Sequence, residues 1–274
     1  MKTYAYPKLS EGGGDYCWFR IGGPGLANCL FFAAKAYIYA HTVPYTQFVD
    51  PTWRKFSIGP WLRKEKDKRI YGNLFYHHGI QGFRKFWILK VSRKSNIVTF
   101  SKLGNYFHDI NQHHDLIVEM FEKIVRPKSI AKVDTAWLAD KIAIHVRLGD
   151  YIPQLRISIE WYKQVIYNIL NINPTAQFVL FSDGKDDELV ELLTIDNLKR
   201  VFYGNALADI YAISRCKMVI ASDSTFSAWG AFLGQKPIIF SRRGFPSLYS
   251  GDILEAVLGE QTTIPDEFRA IILR

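Results

Sequence analysis

The stretch Lys141–Pro153, KIAIHVRLGDYIP, decides how the chain is read. From Lys141 to Val146 it alternates apolar and β-branched residues, the pattern of a buried strand. A cation, a glycine and an acid then arrive together as Arg147, Gly149 and Asp150. Packing gives a core strand no reason to end that way, whereas a ligand carrying phosphate oxygens does.

The residues beyond this stretch repeat its grammar. Strand QFVLFSD (177–183) leads to a helix near 186–193, and strand LKRVFY (198–203) to helix ALADIYAISRC (206–216). Strand KMVIAS (217–222) leads to a helix starting near Ser224, and strand KPIIF (236–240) closes the series. A helix near 158–170, with Ser158 as its N-cap, joins the first two strands. Strands alternating with helices of this length give an α/β fold with a parallel sheet covered on both faces. Ligands of such sheets sit beyond the carboxyl ends of the strands. Three strand ends are polar: Arg147 to Asp150, Ser182-Asp183-Gly184, and Ser222-Asp223-Ser224-Thr225.

Each polar residue has two readings. Arg147 grips phosphate oxygens through its planar fork, or it forms a structural ion pair with Asp150. His145 shares the face of Arg147 and contacts a ligand, or it is a core histidine bonded within the fold. Ser224 and Thr225 open a helix whose amides and dipole favour an anion. Ordinary N-capping by Ser224 is compatible with that role. Phe226, Trp229 and Phe232 come after them at helical spacing, as core residues do. Asp209, in the first turn of its helix, is explained by the dipole alone.

The first half is less periodic. DYCWFRI (15–21) reads as a strand running into the turn GGPG (22–25), with a long apolar helix over 26–41 after it. That order opens a nucleotide-binding α/β unit, although the full GxGxxG and Walker patterns are absent. The absent pattern also counts against a dinucleotide-dependent oxidoreductase. TVPYTQFV gives the next strand, residues 53–96 read as irregular, and HHDLIVEMFEKIV (113–125) has helical spacing. The histidines of HDINQHHD (108–115) match no standard metal spacing, and His77-His78 reads as solvated surface.

The bulk numbers bound the rest. The 274 residues carry a net charge of +9, 48% apolar and 15% aromatic residues, and three scattered cysteines. The core is large, the partners acidic, and a reducing compartment is expected. The start lacks an apolar leader, so a cytoplasmic location is expected. The basic run 54–69 could hold the chain against an anionic membrane. Nucleic acid is not an expected partner.

Four segments resemble the α-1,2-fucosyltransferases. IAIHVRLGDY resembles their HxRRGDY motif, and FSDG their FSDD segment. ALADIYAISRCKMVIASDSTFSAWGAFLG resembles their signature ending in NSTFSWWGA, and PGLANCLFFAAKAYIYA their GGLGNQMFQYAFAYALA. The resemblance implies a GT-B fold, two Rossmann-like halves facing across a cleft. The expected division is an acceptor-side domain over 1–135 and a nucleotide-sugar domain over 136–274. It implies GDP-fucose as donor, a galactose-containing glycan as acceptor, inversion, an α-1,2 linkage, and neither metal nor other cofactor. It assigns donor binding to Arg147, Ser224, Thr225 and Phe226, and matches Gly25 and Asn28 to the amino-terminal loop. His145, Ser182 and Asp183 join the substrate-binding set. Asp150 is the nearest candidate for a base that deprotonates the acceptor, ahead of Asp15 and Glu160. Departures are plain: Leu148 replaces an arginine, Gly184 an aspartate, Asp223 an asparagine, Ala27 a glycine, Cys29 a glutamine and Ala228 a tryptophan. They motivate two rivals, a different nucleotide-sugar donor and an inactive nucleotide-binding relative.

Overall fold

The computed structural model describes residues 2–56, 62, 70–91, 96–149, 154 and 156–274. The chain divides into two compact units, Met1–Ala131 with Asn205–Leu207, and Lys132–Gly204 with Ala208–Arg274.

The second unit is built on six parallel strands. They are β6 (Ile142–Val146), β7 (Phe178–Ser182), β8 (Leu198–Arg200), β9 (Met218–Ala221), β10 (Ile238–Phe240) and β11 (Glu255–Val257). The sheet order is β11-β10-β9-β6-β7-β8, and every pairing is parallel. All five residues of β6 are buried, as expected of a strand covered on both faces. Helix Ile159–Ile172 packs Trp161, Val165, Ile166 and Ile169 into the same core as Ile142, Ile144, Phe178 and Leu180. Each such side chain contributes about 1.5–3 kcal/mol by leaving water. Ser158 caps this helix, accepting from the Trp161 amide at 3.2 Å. The expected strand over 198–203 stops at Arg200.

Strand order also reveals a reversal. From β6 the chain winds outward through β7 and β8. It then returns to lay β9 on the other side of β6 and continues through β10 and β11. The switch point therefore lies between β6 and β9, where open α/β sheets hold their ligands.

The first unit has a smaller parallel sheet, ordered β3-β1-β5, from β1 (Thr3–Pro7), β3 (Thr46–Phe48) and β5 (Ile97–Phe100). Helix α1 (Leu26–Thr42) packs on it and buries Leu30, Phe31, Phe32 and Tyr37. A two-stranded pair joins β2 (Arg20–Ile21) to β4 (Lys55–Phe56). The strand expected over 15–21 shrinks to these last two residues. Asp15 and Arg20 point their charges inward to bind the loop, so the alternation there records a polar clamp. The true opening strand is Thr3–Pro7. Helix α2 (Gly82–Val91) and helix α3 (His114–Ile124) complete the unit.

Candidate functional site

The carboxyl edge of the larger sheet answers the question raised by Arg147-Leu148-Gly149. Asp183 leaves the end of β7 and spans the end of β6. Its Oδ1 accepts from the amides of Leu148 at 2.8 Å and Gly149 at 3.1 Å. Its Oδ2 pairs with the Arg147 guanidinium at 2.6 Å. A Cβ at position 149 would lie 2.5 Å from that oxygen, so glycine is what lets the carboxylate approach. Among the described residues, Arg147 is thus ion-paired with Asp183. Its side chain remains 25% exposed at the rim. Asp150 lies outside the described residues.

His145 sits beneath the rim. It is buried, its Nδ1 is 3.0 Å from Ser222 Oγ, and its ring stacks on Phe226 at 5.2 Å. Burial pushes its pKa down to about 3, with Asp183 opposing and Arg147 reinforcing the shift. The ring is neutral and ties β6 to β9 across the switch point. It supports the rim rather than lying on it.

On β9 the chain turns through Ser222 and Asp223 into helix Thr225–Gly234. Ser224 caps it, accepting from the Phe226 amide at 3.2 Å. Thr225 and Phe226 are half-buried on the first turn, whereas Trp229 and Phe232 are core. The positive end of the helix dipole therefore lies at the rim. Asp223 turns aside, and its Oδ1 accepts from the Gly244 amide at 2.9 Å. An asparagine oxygen would make the same bond, so the acid adds charge without changing the fold. Ser182 accepts from the Gly184 amide at 3.0 Å and holds the turn after β7.

Leu148 and Gly184 are one feature. Leu148 is buried in the core, and a Cβ at 184 would lie 2.6 Å from its Cδ1. The two departures from the fucosyltransferase pattern thus fit each other sterically.

Sequence reasoning misses Arg242. It lies two residues beyond β10, the neighbour of β9, and is half-buried. The rule that singles out Arg147, a cation just beyond a parallel strand, applies equally to the segment SRRG. Arg243 beside it is paired with Glu255 on β11. Along the rim, β10, β9, β6 and β7 therefore present Arg242, the helix start at Ser224, Arg147 and Asp183 in that order.

In the first unit, Gly25 is the N-cap position of α1, with open space around it, and Asn28 is half-buried on the first turn. The preceding loop is held by fully buried Arg20, which donates to the carbonyls of Leu9, at 3.0 Å, and Gly22, and to Cys29 Sγ at 3.3 Å. Gly23 has φ +86° and its absent Cβ would overlap the Leu9 carbonyl at 2.0 Å, so no other residue fits.

Asp15 is not placed for base chemistry. Its carboxylate accepts from Tyr6 Oη at 2.5 Å, the Cys17 amide at 2.8 Å and Thr52 Oγ1 at 2.7 Å. Glu160 accepts from Gln164 at 3.0 Å on its own helix.

A different acid-base pair lies just past the carboxyl end of β3. Asp50 is 2% exposed, and its carboxylate bonds His77 Nδ1 and the His78 amide. His77 itself is half-exposed. Burial pushes the Asp50 pKa up, opposed by the bonds from His77 and His78 and by Lys85. The loop carrying His77 is pinned to β3 through Asp50 N to Ile80 O at 2.9 Å and Ile80 N to Phe48 O at 3.0 Å. A buried carboxylate fixing one ring nitrogen orients the other for proton transfer. The partners are 27 residues apart, so the dipeptide His77-His78 carries no trace of the pairing.

Among the described residues, no three His, Cys, Asp or Glu side chains gather as a metal ligand set. None of the described helices is long and apolar enough to cross a membrane.

Comparison with known proteins bears on the fold and the family. The chain is 27% identical over 168 residues to the O-antigen biosynthesis glycosyltransferase WbnK of Escherichia coli, 52% of this chain and 55% of that protein. The chain therefore aligns with about half the length of this curated relative. The crystal structure of NodZ α-1,6-fucosyltransferase co-crystallised with GDP superposes with a TM-score of 0.56 at 15% identity, covering 87% of this chain and 94% of that one. The Se-Met fucosyltransferase NodZ from Bradyrhizobium gives 0.54 at 15% identity over the same shares. These likenesses establish the fold as α/β of the GT-B type. The model of glycosyl transferase family 11 matches residues 87–241, more than half of the chain and nearly all of the rim just described, and the chain belongs to that family.

Proposed function

We propose that the chain is an inverting glycosyltransferase that moves L-fucose from GDP-fucose to a galactose hydroxyl of a glycan in an α-1,2 linkage. The observation that carries this reading is the rim at the switch point, with Arg147 just past the end of β6 and a capped helix start just past the end of the neighbouring β9. NodZ, which shares the fold, has been crystallised with GDP and soaked with GDP-fucose.

The barrier in such a transfer is charge separation. Positive charge grows on the sugar ring while the departing GDP gains negative charge. Fixed donors aimed at that diphosphate stabilise the transition state more than the ground state. Asp183 already neutralises part of Arg147, so the ion pair alone offers little net positive charge. The helix dipole supplies some of the balance, and Arg242 adds a second guanidinium to the rim where Leu148 has removed one. No metal is needed for this neutralisation. Asp183 acts as a scaffold, holding the guanidinium and two amides at fixed angles.

Deprotonation of the acceptor hydroxyl falls to Asp150, the base expected from the sequence, which takes the proton as the oxygen attacks the anomeric carbon. The Asp50–His77 pair is an acid-base couple of the first unit.

The fit between Leu148 and Gly184 favours a reshaped, working site over an inactive relative. A different sugar donor remains the second reading, since those residues and Asp223 alter the rim's charge.

Two experiments test the function. Isothermal titration with GDP, GDP-fucose, GDP-mannose and a UDP-sugar gives binding for the guanosine compounds and none for the uridine one. Incubation of GDP-fucose with galactose-terminated oligosaccharides gives a fucosylated product by mass spectrometry. Failure to bind GDP overturns the donor assignment, and binding without transfer to any acceptor favours the inactive relative. Arg242→Ala weakens GDP binding about tenfold, the equivalent of roughly 1.4 kcal/mol, and leaves the melting temperature in place. Unchanged GDP affinity removes Arg242 from the site.

A further inference from the structure

Helix α2, GFRKFWILKV, is folded inside out. Its buried side chains are Lys85 and Ile88, while Phe83 is 71% and Trp87 54% exposed. The cause is polar. Lys85 Nζ donates to the Asp50 carbonyl at 2.7 Å and Thr52 Oγ1 at 2.6 Å, and lies 3.8 Å from Asp15 Oδ2. Those bonds fix the rotation of the helix about its axis. Phe83, Phe86, Trp87 and Lys90, spaced i, i+3, i+4 and i+7, then form one outward stripe. Trp18, itself 58% exposed, extends the stripe by stacking on Phe86 at 6.3 Å. Contiguous exposed aromatics of this kind mark an interaction surface.

The charge around the stripe identifies its occupant. Between Asp67 and Asp109 the sequence holds eight Lys or Arg and no Asp or Glu. Arg84 and Lys90 are exposed on the helix itself. A second copy of the chain would set this face against itself and bring like charges together. An aromatic stripe on a segment rich in cations and without acids suits the interface of an anionic bilayer. There tryptophan rings sit at headgroup level and lysine reaches the phosphates. We propose that α2 with Trp18 is a peripheral docking surface for a membrane of anionic lipid. It moves the membrane contact expected of the run 54–69, most of which lies outside the described residues, onto a defined helix face. The inference stands apart from the choice of sugar donor.

The test is sedimentation of the full chain with vesicles of phosphatidylcholine, alone or mixed with phosphatidylglycerol. The wild type sediments with the mixed vesicles about tenfold more tightly than with phosphatidylcholine alone, and its tryptophan emission shifts to the blue. Raising the salt weakens the binding. The double variant Phe83→Ser/Trp87→Ser loses about tenfold or more in affinity, and Lys90→Glu loses most of the preference for the anionic lipid. Both variants keep the wild-type response to GDP, which shows that they are folded. Three results overturn the proposal: no sedimentation of the wild type, undiminished binding by the double variant, or a solution dimer that the double variant abolishes.

Discussion

Arg147→Ala lowers kcat/KM for sugar transfer by about 10²–10³-fold, the usual consequence of removing one fixed donor from developing negative charge. Two effects combine. The guanidinium that meets the diphosphate is gone, and Asp183 is left with an uncompensated carboxylate at the rim, held only by the amides of Leu148 and Gly149. That carboxylate then repels the substrate it formerly helped to position. Arg147→Lys recovers only part of the loss, because an ammonium keeps the charge but not the planar fork. Stability changes little, since a partly exposed ion pair contributes about 0–1 kcal/mol. Steady-state kinetics with a melting curve on the same samples checks both halves, and normal transfer by the alanine variant removes Arg147 from the mechanism.

Asp150→Asn is the second large effect. Loss of a positioned base costs about 10²–10⁴-fold in transfer rate. The substitution removes the proton acceptor and keeps the size of the side chain, so GDP binding and the melting temperature are retained and the loss falls on kcat. Steady-state kinetics beside calorimetric titration with GDP separates the two. A structural role for the acid lowers the melting temperature along with the rate, and full activity in Asp150→Asn returns the base to another residue.

How far the sequence can be read depends on where the determining contacts lie. From Lys141 onward they are local. Each strand runs into its own polar end, each helix begins within a few residues, and the alternation shows the parallel sheet directly. β11, three residues long, is not visible because Glu255-Ala256-Val257 has neither the length nor the pattern to stand out. In the first unit the contacts are long-range and polar. Asp15 meets Thr52, Lys85 meets Asp50, and Asp50 meets His77. Such pairings invert the usual hydrophobic signal, so DYCWFRI imitates a strand and GFRKFWILKV hides a helix with its lysine inside. Strand β1, TYAYP, escapes notice because five residues ending in proline carry too little alternation to register.

The site shows the same division. Arg147, Ser224, Thr225 and Phe226 are legible from strand-end position and motif. Arg242 is accessible to the same rule. The partner of Arg147 is not, because Asp183 lies 36 positions further on and reaches it only through the pairing of β6 with β7.

The central claim is that the larger sheet's switch point takes up the charge on a nucleoside diphosphate, and comparing GDP with guanosine tests it most directly. Calorimetric titration of both into the wild type and into Arg147→Ala isolates the contribution of the phosphates. The account predicts that GDP binds the wild type at least about a hundredfold more tightly than guanosine, a margin of roughly 2.7 kcal/mol, and that the variant loses most of that margin while its affinity for guanosine holds. An equal margin in both proteins would contradict it.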